Sequence, residues 1–207
     1  MDYPYQFFIS IILAYLLGSI PSGYWLGKMV KGIDLRKEGS GNMGATNAFR
    51  VLGKPLGITT LILDMAKGWL AVKLSQWVFG LTADWAIVLV GLATVFGHIF
   101  TIFLRFKGGK GVATTFGIFL AFTPIPTLIT MLIWLITLLI TRYASMSSII
   151  CAICFPILIF FISHSTIYTF LSIILGLFII LRHSSNIKRL MNGTENKFSL
   201  TTANPKD

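Results

Sequence analysis

The chain has 207 residues, of which 55% are hydrophobic and only 12% are charged. An ordinary globular chain carries about 25% charged residues, and a soluble domain of this size exposes too much surface for so few charges to cover. The composition therefore excludes a soluble enzyme, a disordered tail and a disulfide scaffold, and it predicts an integral membrane protein. Seventeen Lys and Arg residues against seven Asp and Glu give a net charge of +10, so the positions of the cations need an explanation.

Apolar segments long enough to cross a bilayer recur along the chain. A hydrocarbon core of about 30 Å requires about 20 helical residues. The N-terminal segment lacks a basic region and a small-residue cleavage site, so it is predicted as a first span and not as a removed signal. Gly111–Phe122 is apolar but short, and Pro124 and Pro126 follow it. The six longer candidates are residues 5–28, 56–79, 83–104, 124–141, 144–163 and 165–182.

The basic residues decide whether the short segment crosses the membrane. If Gly111–Phe122 crosses, every basic loop lies on one side; if it does not, Arg142 and the C-terminal cations change sides. The positive-inside rule therefore predicts an all-α bundle of seven transmembrane helices, with the N-terminus outside and the C-terminus in the cytoplasm. Residues 1–191 form one membrane-embedded domain in this prediction, and 192–207 form a polar cytoplasmic tail. Fifteen of the seventeen cations lie in loops or at span ends: Lys28, Lys31, Arg36, Lys37, Arg50, Lys54, Arg105, Lys107, Lys110, Arg142, Arg182, Lys188, Arg189, Lys197 and Lys206.

The other two cations, Lys67 and Lys73, lie within span 56–79 together with Asp64. Asp64 and Lys67 are one helical turn apart, so they can pair on one face. Ionisable residues inside a membrane suggest a functional role, but a structural pair, with Lys73 extending toward the interface, also explains them. His98, near the cytoplasmic end of its span, has the same two interpretations, packing or catalysis.

The first cytoplasmic loop contains EGSGNMGATNAFRVLGK, with four glycines between Gly39 and Gly53. Glycines allow close backbone approach and leave N–H groups free to point at an anion. Ser40 and Asn42 add neutral donors, and Arg50 adds a planar charge suited to phosphate. A flexible connector would not require these donors among its glycines, so the loop predicts anion binding.

The second loop, FLRFKGGKGVATT, leads into the short helix that is predicted to start near Gly111. Lys107 and Lys110 flank two glycines at that helix N-terminus, an arrangement that favours phosphate. The spacing is not that of a nucleotide-binding P-loop. The alternative is that these lysines only determine topology.

The third motif, RHSSNIKRLMNGTEN, stands where the last span leaves the membrane. On a continuing helix, His183 and Asn186 would face the same way. His183 can accept a proton or donate to a phosphate, or it can simply interact with the helix end. The chain has no HExxH motif, acidic pair or Cys/His cluster, so no metal or other cofactor is predicted. From the residues alone, a phosphate-handling lipid enzyme and an anion transporter both remain open.

In order and spacing, GSGNMGATNAFR, GHIFTIFLRFKGGKGVAT and RHSSNIKRLMNGTEN resemble the three motifs of the bacterial acyl-phosphate:glycerol-3-phosphate acyltransferases, the PlsY family. The resemblance implies a seven-helix protein of the bacterial inner membrane that moves an acyl group from acyl phosphate to the sn-1 hydroxyl of glycerol 3-phosphate. It implies no nucleic acid, and we expect a monomer. The implied catalytic residues are Ser40, Arg50, Lys110, His183 and Asn186, with Gly41, Asn42, Lys107, Gly108 and Gly109 as the phosphate cradle.

Three alternatives accompany this resemblance. The proton of the attacking glycerol hydroxyl can go to His183 or to a substrate phosphate, whose second pKa lies near 6. The competing function is a transporter or exchanger of phosphate or glycerol phosphate, which predicts a site near the bilayer midplane and related halves. The three motifs instead cluster on one predicted face, and no internal repeat is visible. A membrane scaffold that recruits anionic lipid would explain the charge, but not the glycine and asparagine spacing.

Overall fold

The structure, a computed structural model, describes residues 4–198, and within this range it contains α-helices and no β-strand. The ten helices are α1 (Pro4–Ser19), α2 (Ser22–Lys31), α3 (Ala45–Leu52), α4 (Lys54–Trp77), α5 (Asp84–Ile99), α6 (Val112–Leu120), α7 (Pro124–Thr141), α8 (Ala144–Ser163), α9 (Thr166–Arg182) and α10 (Ser184–Met191); a 3₁₀ turn (Ile102–Leu104) follows α5.

Four of these helices are long and apolar enough to cross a membrane: α4, α5 with the turn that follows it, α7 and α8. Two bent pairs, α1 with α2 and α9 with α10, bring the number to six if each pair is one span. The predicted all-helical membrane fold is therefore confirmed. The nine residues of α6 measure about 14 Å at 1.5 Å per residue, which is short for a crossing, as expected from the sequence.

Two predicted helices are interrupted. The span predicted as continuous over 5–28 breaks at Ile20–Pro21, where α1 and α2 meet at 43°, because proline lacks an N–H and clashes with the preceding turn. The last span is also interrupted where it leaves the bundle: α9 and α10 meet at 58°, so His183 and Asn186 do not stand on one continuing helix. The predicted loop 29–55 contains the end of α2 and all of α3.

Close glycine contacts fix the short helix α6 on α4. A Cβ atom on Gly68 of α4 would lie 2.3 Å from the Thr114 carbonyl oxygen, and one on Gly117 of α6 would lie 1.9 Å from the Met65 carbonyl oxygen. Small residues of this kind let membrane helices approach each other closely. The start of α6, two residues after Lys110, is therefore held in a defined place although the helix is short.

The basic loops meet at one end of the bundle. Arg182 lies 3.4 Å from the carbonyl oxygens of Gly108 and Gly109, and the ring of Phe198 packs 4.7 Å from that of Phe49. Residues 192–198, predicted as loose tail, are thus packed onto the bundle, while 199–207 lie outside the described residues.

At the opposite end of the bundle, the start of α9 contacts the start of α5 and the residues that follow α6. Tyr168 donates a hydrogen bond to Asp84 at the start of α5. The Phe122 ring stacks on Tyr168 at 4.4 Å between centroids. The segment 111–122 therefore extends from the basic end of the bundle to the other end.

Candidate active site

A cavity of about 290 Å³ lies at the basic end of the bundle, among α3, α4, α6, α7, α8 and α10. Its apolar lining, which we call the interior, includes Met65, Phe116, Met131 and Trp134, and the exposed polar side chains of Ser40 and Arg50 lie at what we call its mouth. Six of the predicted site residues line it: Ser40, Asn42, Arg50, Lys110, His183 and Asn186. The structure therefore brings together residues from all three sequence motifs.

Asn47 organises the first loop. Its amide nitrogen donates to the carbonyl oxygens of Glu38 (3.0 Å) and Asn42 (2.8 Å), and its amide oxygen accepts the Ser40 N–H (2.9 Å). The loop can wrap this closely because Gly39 has no side chain: a Cβ there would lie 2.4 Å from the Asn47 amide oxygen. Asn47 was not singled out from the sequence, although its position in the first turn of α3, after the glycines, was a usable signal of this role.

The loop leaves its functional side chains accessible. Ser40 and Arg50 are exposed at the cavity mouth, with Arg50 in the last turn of α3. Gly41 is not among the lining residues; its N–H donates to the Glu38 carbonyl oxygen at 3.0 Å. That Gly41 contacts a ligand directly stays a prediction, and the position of Gly41 in the structure does not support it.

The second loop places one lysine in the cavity. The Lys110 ammonium donates a hydrogen bond to the Asn186 side-chain oxygen. Residues 111–113, at the start of α6, also line the cavity, so the helix N-terminus that was predicted to favour an anion faces it.

Lys107, Gly108 and Gly109 do not line this cavity. The N–H groups of Gly108 and Gly109 donate to the Ile99 (2.9 Å) and His98 (3.1 Å) carbonyl oxygens, so they are paired within the protein and not directed at a ligand. A Cβ on Gly108 would lie 2.0 Å from the His98 carbonyl oxygen. The position of the two glycines thus supports close packing of the loop against α5, and their predicted part in a phosphate cradle has no geometric support.

The third motif lies beside Lys110, with Asn186 in direct contact with it. His183 is buried, and its Nδ1 lies 2.7 Å from the Ile179 carbonyl oxygen. Because a carbonyl oxygen only accepts, Nδ1 carries the proton and Nε2 is the nitrogen left to accept one. Asn186 donates to Glu195 at 2.6 Å.

Glu195 is a site residue that the sequence analysis missed. Its carboxylate accepts hydrogen bonds from Ser145 (2.7 Å) and Arg189 (2.7 Å) in addition to Asn186, and it lines the cavity. The available signal was that Glu195 is the one acidic residue between Asp84 and Asp207. Its contacts tie the start of α8, α10 and the C-terminal segment together at the cavity mouth.

The electrostatics of the site follow from burial and charge. Burial lowers the pKa of Lys110 to about 8, and the Glu195 charge opposes this shift. Burial raises the pKa of Glu195, but its hydrogen bonds from Asn186, Ser145 and Arg189 outweigh that effect and hold the pKa below its ordinary value. Three cations, Arg50, Lys110 and Arg189, line this end of the cavity together with the single carboxylate of Glu195, so it favours anions.

Comparisons with known proteins identify the family of the chain. A family model described as glycerol-3-phosphate acyltransferase matches residues 8–193. Relatives with the same description include those of Fusobacterium nucleatum, 47% identical over 93% of this chain and 98% of the relative, and Bacillus subtilis, 46% identical over 91% and 96%.

Two solved structures have the same fold. Both are crystal structures of PlsY (YgiH), an integral membrane glycerol 3-phosphate acyltransferase. The glycerol 3-phosphate form matches with a TM-score of 0.87 and 41% identity, over 93% of this chain and 96% of that one. The lysophosphatidic acid form matches with a TM-score of 0.85 and 40% identity, over 94% of this chain and 96% of that one. With relatives this similar over nearly its whole length and a shared membrane fold, the chain belongs to the glycerol-3-phosphate acyltransferase family.

Proposed function

We propose that this protein transfers a fatty acyl group from acyl phosphate to the sn-1 hydroxyl of glycerol 3-phosphate. The products are 1-acyl-glycerol 3-phosphate (lysophosphatidic acid) and inorganic phosphate, and the reaction belongs to phospholipid biosynthesis. The observation that carries the proposal is one cavity with a cationic mouth and an apolar interior. Such a cavity suits a soluble anion and a hydrophobic acyl chain side by side.

The five predicted catalytic residues each have a role in this reaction. Arg50 and Lys110 hold phosphate groups, and Ser40 donates to a phosphate or to the acyl carbonyl oxygen. His183 and Asn186 orient the glycerol hydroxyls. The acyl chain occupies the apolar interior, where burial of each methylene contributes about 0.8 kcal/mol.

The chemistry is a direct acyl transfer. The glycerol hydroxyl oxygen attacks the acyl carbonyl carbon, a new ester C–O bond forms, and the bond to the phosphate oxygen breaks, so phosphate leaves with that electron pair. Acyl phosphate is a mixed anhydride with a good leaving group, so the protein mainly aligns the reactants and stabilises the developing negative charge. The hydroxyl proton goes to a phosphate oxygen of a substrate, while His183 orients the glycerol hydroxyl through Nε2. The alternative is that His183 itself takes this proton.

We also propose the membrane arrangement. The protein crosses a bacterial inner membrane seven times, with the N-terminus outside and with the C-terminus and site facing the cytoplasm. The course of segment 111–122 from the basic end to the Tyr168 end supports counting it as a crossing, and the collected cations support a cytoplasmic site. A monomer suffices for the reaction, because every proposed site residue comes from one chain.

The decisive experiment measures phosphate release by purified protein in detergent. We expect release only when acyl phosphate and glycerol 3-phosphate are both present, with lysophosphatidic acid formed in equal amount. Arg50→Ala should abolish release, and Arg105→Ala, which removes an exposed arginine outside the cavity, should retain it. Folded protein that releases no phosphate with both substrates contradicts the proposal, and full activity of Arg50→Ala would overturn the assignment of Arg50 to phosphate binding.

A further inference from the structure

A buried polar cluster lies beside the site, where α1 and α2 break. Asp64 Oδ1 is 2.9 Å from Lys67 Nζ and accepts the Ser22 hydroxyl at 3.0 Å. Lys67 also donates to the Ile20 carbonyl oxygen at 2.8 Å. The Asp64 and Lys67 side chains are only 3% and 5% exposed. The predicted pair within α4 is therefore present, and it joins α4 to the helix break at Pro21.

His98 links this cluster to the second loop. Its Nδ1 lies 3.9 Å from Asp64 Oδ1, which is a contact and not a hydrogen bond. At the other side of the ring, a Cβ on Gly109 would lie 2.2 Å from Nε2, so the loop packs directly on the imidazole. The Gly109 N–H donates to the His98 carbonyl oxygen, and Lys110 is the next residue.

Asp64 and His98 also line the active-site cavity. An unpaired carboxylate there would repel anionic substrates, and Lys67 neutralises it. A buried ion pair contributes little net stability compared with apolar residues of the same volume, so holding the helices together does not by itself account for these charges at this position.

We propose that Asp64 and Lys67 are positioning residues that act through His98 and Gly109 to fix the place of Lys110 in the cavity. The inference rests on the proposed function, in which Lys110 holds a substrate phosphate. The cluster sets the position of the His98 ring, the ring supports Gly109, and the loop then directs the Lys110 ammonium toward Asn186.

The first test replaces both charges, Asp64→Asn with Lys67→Met, so that no single buried charge is left without its partner. We expect the KM for glycerol 3-phosphate to rise by about tenfold or more, as for a lost charge-assisted contact, with a much smaller change in kcat. The thermal unfolding midpoint without substrate should stay near the wild-type value, while the increase in that midpoint caused by glycerol 3-phosphate should shrink. The control is Asp84→Asn, which removes a hydrogen bond to Tyr168 at the opposite end of the bundle and should leave KM unchanged.

The second test distinguishes the contact at His98 Nδ1 from the contact at Nε2. It keeps the inference testable if the double variant does not fold. A glutamine amide reaches to about the place of Nε2, whereas an asparagine amide reaches only to that of Nδ1. We expect His98→Gln to keep a KM nearer wild type than His98→Asn. A wild-type KM in the double variant, or equal KM values in the two His98 variants, overturns the inference. An inactive wild-type protein instead refutes the proposed function, and the midpoint shift with glycerol 3-phosphate then still reports on phosphate binding.

Discussion

Lys110 and Asn186, 76 positions apart in the sequence, are joined in the cavity by a hydrogen bond from the lysine ammonium to the asparagine side-chain oxygen. Asn186 donates in turn to Glu195, which also accepts from Arg189. The second and third motifs therefore form one continuous polar wall. A phosphate held by Lys110 would lie beside Asn186, whose proposed role is to orient the glycerol hydroxyls.

The two lysines of the second loop should differ sharply when each is replaced by alanine. Lys110 lines the cavity and Lys107 does not. We expect Lys110→Ala to lower kcat/KM for glycerol 3-phosphate by about 100-fold or more, as for loss of a donor that stabilises charge in the reaction, and Lys107→Ala to have a far smaller effect. Steady-state kinetics of both variants in detergent check this. Equal losses would show instead that the cradle predicted from the sequence includes Lys107.

The lowered pKa of Lys110 predicts an alkaline limit to activity. The charged ammonium holds phosphate, and burial lowers its pKa to about 8. The value of kcat/KM for glycerol 3-phosphate should therefore fall as the pH rises through about 8. A bound phosphate favours the charged lysine, so the fall in kcat should occur at higher pH than the fall in kcat/KM.

Arginine substitution provides the control for this pH profile. Lys110→Arg stays charged, so its remaining activity should not show the fall in kcat/KM near pH 8, whereas Lys107→Arg should keep the wild-type profile. The pH dependence of kcat/KM for the three proteins is the measurement. The same alkaline midpoint in Lys110→Arg would assign the titration to another group.

The membrane bundle and most of the cavity mouth could be predicted from sequence, because both depend on local properties. Apolar segment length predicts the spans, and the charge asymmetry of the loops predicts which of them meet. Four site residues stand in motifs whose composition suits a polar, anion-binding site, and the structure brings all four to one cavity: Arg50, Lys110, His183 and Asn186.

The remaining features depend on long-range contacts that spacing does not reveal. Glu195 stands in a basic, polar segment typical of a solvated tail, and its bond to Ser145 joins residues 50 positions apart. From the sequence, the N–H groups of Gly108 and Gly109 were candidate ligand donors, but in the structure they donate to carbonyl oxygens of α5. The continuous helix predicted over 5–28 fails at Pro21, which was a local signal in the sequence; the long-range addition is the bond from Lys67 of α4 to the Ile20 carbonyl oxygen.

Glu195 should stabilise the fold in a pH-dependent way. Its hydrogen bonds from Asn186, Ser145 and Arg189 outweigh burial and lower its pKa. A carboxyl group with a lowered pKa in the folded state contributes stability above its unfolded pKa, and this contribution is lost as the pH falls through the folded pKa. Glu195→Gln should therefore have a lower thermal unfolding midpoint than wild type at neutral pH, and the difference should shrink as the pH falls below about 4.

The matched control is Glu38→Gln, since Glu38 is exposed and, among residues 4–198, its side chain accepts no such set of hydrogen bonds. Its midpoint should follow that of the wild-type protein over the same pH range. Thermal unfolding in detergent at several pH values measures all three proteins. A midpoint difference for Glu195→Gln that is the same at every pH would mean that shape, and not charge, accounts for the contribution of Glu195.

The apolar interior of the cavity should limit acyl-chain length. Met131 of α7 lines this part together with Met65 and Phe116, so Met131→Trp should fill space that the chain would otherwise occupy. Each excluded methylene removes about 0.8 kcal/mol of burial, so the loss of room for two should lower kcat/KM for long-chain acyl phosphates by about tenfold. Shorter acyl phosphates should be affected less, and the KM for glycerol 3-phosphate should not change, because the polar mouth is intact. Met146→Trp makes the same substitution at an exposed position of α8 outside the cavity, and it should leave the chain-length profile unchanged. An unchanged profile in Met131→Trp, or the same change in both variants, would place the acyl chain outside this cavity.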